Sequence, residues 1–184
     1  MLEKTTLGPL SVSNLALGAM LFGATVDEDL SRRLLDRFVD AGGNFIDTAN
    51  NYAFWHPGGR AGTSEELLGR WLKDRGRREE VVIATKVGAL PNRVGAGLED
   101  IEGLGREAIT RGIETSLRRL GTDYVDLYYA HIDDRTTALE ETLETFDGLV
   151  KAGKVRAIAC SNTSVWRIER ARQLSRQHGW AEYV

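Results

Sequence analysis

Apolar positions along this chain follow two alternating rhythms. Short runs that are mostly apolar, at Leu15–Ala19, Asn44–Thr48, Val81–Lys86, Tyr124–Ala130 and Val155–Cys160, read as strands. Between them apolar residues fall at helical spacing, as in Leu30, Leu34, Leu35 and Phe38, or Leu139, Leu143, Phe146, Leu149 and Val150. Each interval holds one helix. Glycines at Gly42-Gly43, Gly121 and Gly153 follow the last periodic position of three helices, where a left-handed residue costs least. Asp27, Thr63 or Ser64, and Thr163 or Ser164 stand where N-caps belong. Strand, helix, strand repeated in this way specifies parallel strands with crossover helices, so the fold class is α/β. Upstream, Gly8-Pro9 is placed to turn a short N-terminal hairpin.

Four ionisable residues, Asp47, Tyr52, Lys86 and His131, lie at or just past the ends of three successive strand runs. In a barrel of alternating strands and helices that is the face on which catalytic groups gather. Two long glycine-bearing segments, Tyr52–Gly62 and Gly88–Gly105, follow the first two of these strands and read as loops over an active site.

Composition narrows the function. The chain of 184 residues is 42% hydrophobic and 28% charged with a net charge of -3, ordinary values for one globular domain, and 1–184 is read as that domain. Its basic residues are interleaved with acids, as in Lys73-Asp74-Arg75-Gly76-Arg77-Arg78-Glu79-Glu80, which reads as a solvated helix end and turn; no nucleic-acid partner is expected. No apolar stretch approaches the roughly 20 residues that span a bilayer, and the N-terminus lacks a signal-peptide core. The single Cys160 has no disulfide partner, which suits a reducing compartment. The expectation is a cytoplasmic protein without membrane contact.

The four residue types together suggest acid–base work on an oxygen. A tyrosine with a pKa near 10 is a poor proton donor or acceptor at neutral pH unless a neighbour tunes it. A lysine ammonium favours the phenolate and lowers that pKa, while a carboxylate holds the lysine charged. A histidine on the next strand can donate a hydrogen bond to a substrate carbonyl. The set holds no reductant, so carbonyl reduction would need hydride from a nicotinamide cofactor. His131 with Asp133 and Asp134 could suggest a metal, but with three histidines in the chain and no second ligand cluster no metal is expected. The chain carries neither the Gly-rich dinucleotide fingerprint nor a phosphate-loop motif, so a nucleotide would be held by barrel loops. Lys86 as a Schiff base in a lyase or aldolase is the rival chemistry.

Gly43-Asn44-Phe45-Ile46-Asp47-Thr48-Ala49-Asn50-Asn51-Tyr52 resembles the signature of aldo-keto reductases. Four further blocks match in order: Ser64–Gly69, Ile83–Lys86, Leu117–Tyr128 leading to His131, and Gly153–Asn162. The resemblance implies a parallel (β/α)8 TIM-type barrel with NADPH across its mouth. It implies Tyr52 as proton donor, Lys86 and Asp47 as its tuning pair and His131 as the carbonyl-orienting residue. Ser161 and Asn162 match the pair that binds the nicotinamide carboxamide. Gly18 and Met20 match positions lining the cofactor, and Met20, Trp55 and His131 are expected around a small-molecule carbonyl substrate. Where the family often has Gly-Thr-Met, this chain has Gly18-Ala19-Met20.

A barrel of this type needs about 250 residues, whereas this chain ends at Ala181-Glu182-Tyr183-Val184, which looks like the opening of a sixth strand. The expectation is a barrel truncated to five or six β/α units, with open edges that invite self-association. A non-catalytic binding or assembly module on a reductase scaffold is the corresponding alternative.

Overall fold

The structure, a computed structural model, describes residues 2–57, 59–93, 95–97 and 99–184. An antiparallel hairpin, β1 (Lys4–Leu7) and β2 (Leu10–Ser13), opens the chain. It turns at Gly8-Pro9, where Gly8 takes a φ of 55° that a side chain would resist. Five strands follow: β3 (Ala16–Gly18), β4 (Phe45–Asp47), β5 (Val82–Val87), β6 (Val125–Ala130) and β7 (Val155–Cys160). They pair in chain order, all parallel. Helices α1 (Glu28–Asp40), α2 (Thr63–Arg75), α3 (Arg106–Leu120) and α4 (Leu139–Lys151) are the crossovers, and α5 (Val165–His178) follows β7. A single bridge from Ile158 to Tyr183 continues the order beyond β7. This is the α/β arrangement of an incomplete (β/α)8 barrel. The chain's last residues do pair as a sixth strand would begin.

Strand alternation divides the sheet's two faces. Ile46, Ile83, Val87, Tyr128 and Ile158 face the helices and form one cluster with Leu67, Leu68, Ile109, Ile113 and Phe146. Val82, Ala84, Leu127, Ala157 and Ala159 face the other way and are covered by Leu10 and Val12 of the hairpin. Continuing the period of two along each strand puts Asp47, Lys86, His131 and Ser161 on this second face, at the end away from the hairpin. The hairpin plugs one end of the half-barrel and the ionisable groups line the other.

Element ends differ from the sequence reading by a residue or two, for local reasons. β4 is shorter than Asn44–Thr48, although the backbone ladder reaches both neighbours: Val82 N–H donates to Asn44 O and Thr48 N–H to Ala84 O. Asp27 caps α1 as expected, its carboxylate accepting from Leu30 N–H at 2.8 Å. Neither Thr63 nor Ser64 caps α2. The cap is Gly62 with a φ of 86°, and both hydroxyls go elsewhere, Thr63 to Arg60 O and Ser64 to Ala19 O. Ser164 occupies the N-cap of α5, but its hydroxyl lies 2.6 Å from an Asp133 carboxylate oxygen rather than on the helix. The charged stretch Lys73–Glu80 is a helix end and turn, yet Arg78 reaches inward to the buried Asp126 at 2.7 Å.

Helices α2 and α3 cross at Gly69. A Cβ there would lie 2.1 Å from the carbonyl oxygen of Arg119, a backbone atom that cannot swing aside. Alanine improves helix propensity by about 1 kcal/mol, but overpacking costs about 1–3 kcal/mol. Because the clash is with backbone at 2.1 Å, the cost falls in the upper part of that range, and Gly69→Ala is expected to destabilise by about 1–2 kcal/mol net, read as a lower urea midpoint at unchanged slope; an equal or higher midpoint would show that the helices can part freely.

Candidate active site

The sheet's ladder runs on past the strand ends and pins each site residue to its neighbour strand. Ala19 N–H donates to Asp47 O, His131 N–H to Val87 O and Ser161 N–H to Ala130 O. Asp47 ends β4, Lys86 lies one residue before the end of β5, and His131 follows β6. Tyr52 comes from the turn after β4. There Ala53, fully buried, takes a left-handed φ of 77°, a conformation that costs a non-glycine residue about 1–2 kcal/mol. Gly62 N–H closes that loop onto Tyr52 O at 3.3 Å.

Lys86 is the hub. Its Nζ donates to Asp47 Oδ2 at 2.7 Å, Thr48 O at 2.7 Å and Tyr52 Oη at 2.8 Å. An ammonium has three hydrogens, and all three are used. The Tyr52 oxygen therefore accepts from Lys86, and its own hydrogen must point elsewhere. Lys86 and Tyr52 are buried, at 6% and 8% exposure, while the Asp47 side chain keeps about a quarter of its surface open. His131 faces Tyr52 edge-on, ring centroids 6.0 Å apart at 73°, and Trp55 does the same from another side at 6.0 Å and 78°.

Burial sets the charge states. It lowers the Lys86 ammonium from its ordinary value, with Asp47 pulling back in the opposite direction. It pushes the His131 imidazole down to about 4, helped by the Lys86 charge, so His131 is neutral at pH 7 and carries one N–H. Tyr52 departs from the sequence-based expectation of a lowered pKa. Burial first, then the Asp47 carboxylate, push it above the ordinary phenol value, so that it stands protonated at neutral pH. The reason is that burial disfavours the phenolate and the nearby Asp47 carboxylate disfavours it further.

The remaining predicted residues lie at the same end of the sheet. Gly18 pairs with Asp47, and a Cβ on it would meet nothing within 4 Å. Met20 and Trp55 are large apolar side chains left 44% and 46% exposed. Asn162 adopts a left-handed φ of 54°; its amide nitrogen donates to His131 O at 2.9 Å and to Ser161 Oγ at 3.1 Å. That links the carboxamide-binding candidates to the histidine. Asp133 and Asp134 do not join His131 as ligands. Asp133 pairs with Arg135 and Arg167, and Asp134 accepts from Leu104 N–H and the hydroxyls of Thr136 and Thr137. Among the described residues no three ligand-type side chains cluster as a metal site.

Sequence reasoning missed the residues behind this face. Glu65, fully buried, accepts from Thr85 Oγ1 at 2.7 Å and from Arg119 at 3.0 Å. Glu102 accepts from the Asn50 side chain and Gly88 N–H, both at 2.8 Å, and so ties the second long loop to the turn just ahead of Tyr52. A signal for Glu65 existed, since it shares a helix face with Leu68, Gly69 and Leu72, positions that a surface carboxylate would not occupy.

Comparison with known proteins agrees with this arrangement. Residues 14–184 match the Aldo/keto reductase family. The chain is 42% identical over 173 residues to an uncharacterized oxidoreductase, YrpG, of Bacillus subtilis, covering 92% of this chain and 52% of that one. It is 37% identical to an aryl-alcohol dehydrogenase [NADP(+)] of Phanerodontia chrysosporium (95% of this chain, 47% of that one). Norsolorinic acid reductase B of Aspergillus parasiticus is 36% identical (95% and 46%). The chain thus spans about half the length of the curated relatives it matches. With parallel strands in chain order, the Asp47–Lys86–Tyr52 hub at their ends and a family match over nearly its whole length, this chain belongs to the aldo/keto reductase family.

Proposed function

We propose that the protein to which this chain belongs reduces an aldehyde or ketone to an alcohol with NADPH, Tyr52 serving as the general acid. The observation that carries the reading is the Lys86 ammonium with all three hydrogens spent, one of them on Tyr52 Oη. The phenol's hydrogen is then left for the Asp47 carboxylate or, with substrate bound, for a substrate oxygen. The neutral His131 beside it supplies a second N–H to the same oxygen.

The groups present suit a nicotinamide. Ser161 and Asn162 offer a hydroxyl and an amide, the complement of a carboxamide, and the open surface over Gly18 leaves room for a flat ring. When bound, the cofactor supplies hydride to the carbonyl carbon. The chain's own residues handle the oxygen. Tyr52 and His131 orient it, and as the C=O π electrons move onto it, it takes the proton from Tyr52 Oη. The phenolate left behind is met by the Lys86 ammonium at 2.8 Å, and Asp47 keeps that ammonium charged. A high phenol pKa does not obstruct this, because a free alkoxide is a far stronger base than a phenolate.

NADPH is preferred because one relative is an aryl-alcohol dehydrogenase [NADP(+)], and aryl carbonyls are the first substrates to try. The half-exposed Trp55 and Met20 near the site offer such a ring apolar contact. The Schiff-base chemistry is weaker here. Burial does lower the Lys86 pKa, but three oxygen acceptors hold its hydrogens and leave no lone pair for a carbonyl carbon. The test is oxidation of NADPH, followed by absorbance, with benzaldehyde and with aliphatic aldehydes, on the purified protein of natural length. Turnover that requires both partners is expected; nucleotide binding without turnover for any carbonyl would favour the binding-module alternative.

A further inference from the structure

Behind the face that carries Asp47, Lys86 and Tyr52 lies an ion pair, fully buried at its carboxylate and half-buried at its guanidinium, with no part in the chemistry above. Glu65 on α2 is fully buried and meets Arg119 on α3 at 3.0 Å. Packing alone gives little reason for it, since a buried ion pair is often no more stabilising than two apolar side chains of similar volume. Leu67, Leu68 and Leu120 already fill the surrounding core.

Its hydrogen bonds lead to the site by two routes. One Glu65 oxygen accepts from Thr85 Oγ1 at 2.7 Å, and Thr85 directly precedes Lys86 on β5. The other binds Arg119, whose same nitrogen donates to Asn50 O at 3.2 Å, two residues before Tyr52. Asn50 in turn donates its backbone N–H to Lys86 O at 3.2 Å, so its peptide groups are held between the lysine's own backbone and the guanidinium. The guanidinium also lies against Gly62, where a Cβ would come within 2.1 Å of Arg119 Cζ, and Gly62 N–H is the group that closes the loop onto Tyr52 O. Only glycine, at φ 86°, permits that approach.

We propose that the Glu65–Arg119 pair is a positioning unit for the reductase site, holding the loop of Tyr52 and the strand of Lys86 at the separation that lets the ammonium meet the phenol oxygen. It rests on the reductase reading above and adds residues that touch neither substrate nor cofactor. Displacements of about 1 Å in such a contact can cost up to 100-fold in rate, whereas a pair that merely staples two helices would affect stability alone. Glu65 is also a second negative charge near Lys86. The groups facing the ammonium are Asp47 and Tyr52 in direct contact, Tyr129 with its ring centroid at 5.7 Å, His131 and, from behind, Glu65. Both carboxylates raise the lysine's pKa against the effect of burial.

The test uses Glu65→Gln, which keeps an acceptor for Thr85 but removes the charge, and Arg119→Lys, which keeps the charge but ends one bond short of the guanidinium nitrogen that serves both Glu65 and Asn50. Both are expected to lower kcat about tenfold or more while KM for the carbonyl changes less than about threefold. In E65Q the Lys86 pKa, read by NMR on lysine labelled with 13C at Cε, should move down by about half a unit or more. That titration needs no turnover, so a protein without reductase activity would defeat the proposed function while leaving the Lys86 arm readable. Should E65Q not fold, Arg119→Lys alone decides, by the split between kcat and KM. Unchanged kcat and an unmoved Lys86 titration, whatever happens to the melting temperature, would overturn the proposal.

Discussion

Tyr52→Phe is expected to lower carbonyl reduction by about 100-fold or more, the range for removal of a positioned general acid, while leaving NADPH affinity within about twofold. The substitution is geometrically mild. The ring keeps its edge contacts with Trp55 and His131 at 6.0 Å, and only the hydroxyl is lost. Lys86 forfeits one of three acceptors but retains Asp47 Oδ2 and Thr48 O. A loss of fold is therefore not the expected cause of inactivity, and matched melting curves would establish that. Turnover within threefold of the parent would show that the proton reaches the substrate from another group, with His131 the one to examine next.

Lys86→Met should be nearly as damaging, with a different signature. Without the ammonium the Tyr52 oxygen faces the Asp47 carboxylate with no cation between them, so forming the phenolate becomes harder still. Burial and Asp47 already hold the phenol above its ordinary value. In the direction of alcohol oxidation Tyr52 must act as base. Activity there rises as pH approaches the tyrosine's pKa, and removing the cation that stabilises the phenolate moves that rise to higher pH. Rates should fall by about 100-fold. Asp47 keeps enough open surface to regain water, which limits the cost in stability. An unshifted profile would mean that Lys86 does not tune Tyr52, and trapping with borohydride in the presence of a carbonyl would then test Lys86 as a Schiff base.

Much of this was legible in the chain because it depends on local periodicity. Apolar runs alternating with helical spacing required parallel strands and crossover helices, and their places at or just past successive strand ends put Asp47, Lys86 and His131 at one end of the sheet. Even the hairpin turn at Gly8-Pro9 could be read, since few residues other than glycine tolerate its backbone. The cap of α2 was misread. Thr63 and Ser64 are good N-cap residues in isolation, but their hydroxyls found partners at Arg60 O and at Ala19 O, the second 45 residues away in sequence.

The electrostatics of the site depended on contacts that no local pattern encodes. Residue types implied that lysine would lower the tyrosine's pKa; the structure instead divides the ammonium among three oxygens and buries the phenol, and the net direction is upward. Likewise no local pattern pairs Glu65 with Arg119, which α3 brings against it across 54 residues of chain. Which residues gather at the barrel mouth follows from the order of strands and helices along the chain, because the ends of successive parallel strands share one edge of the sheet. Their charge states and partners follow from the packed fold, because desolvation and Coulomb energies depend on distances between groups far apart in the chain.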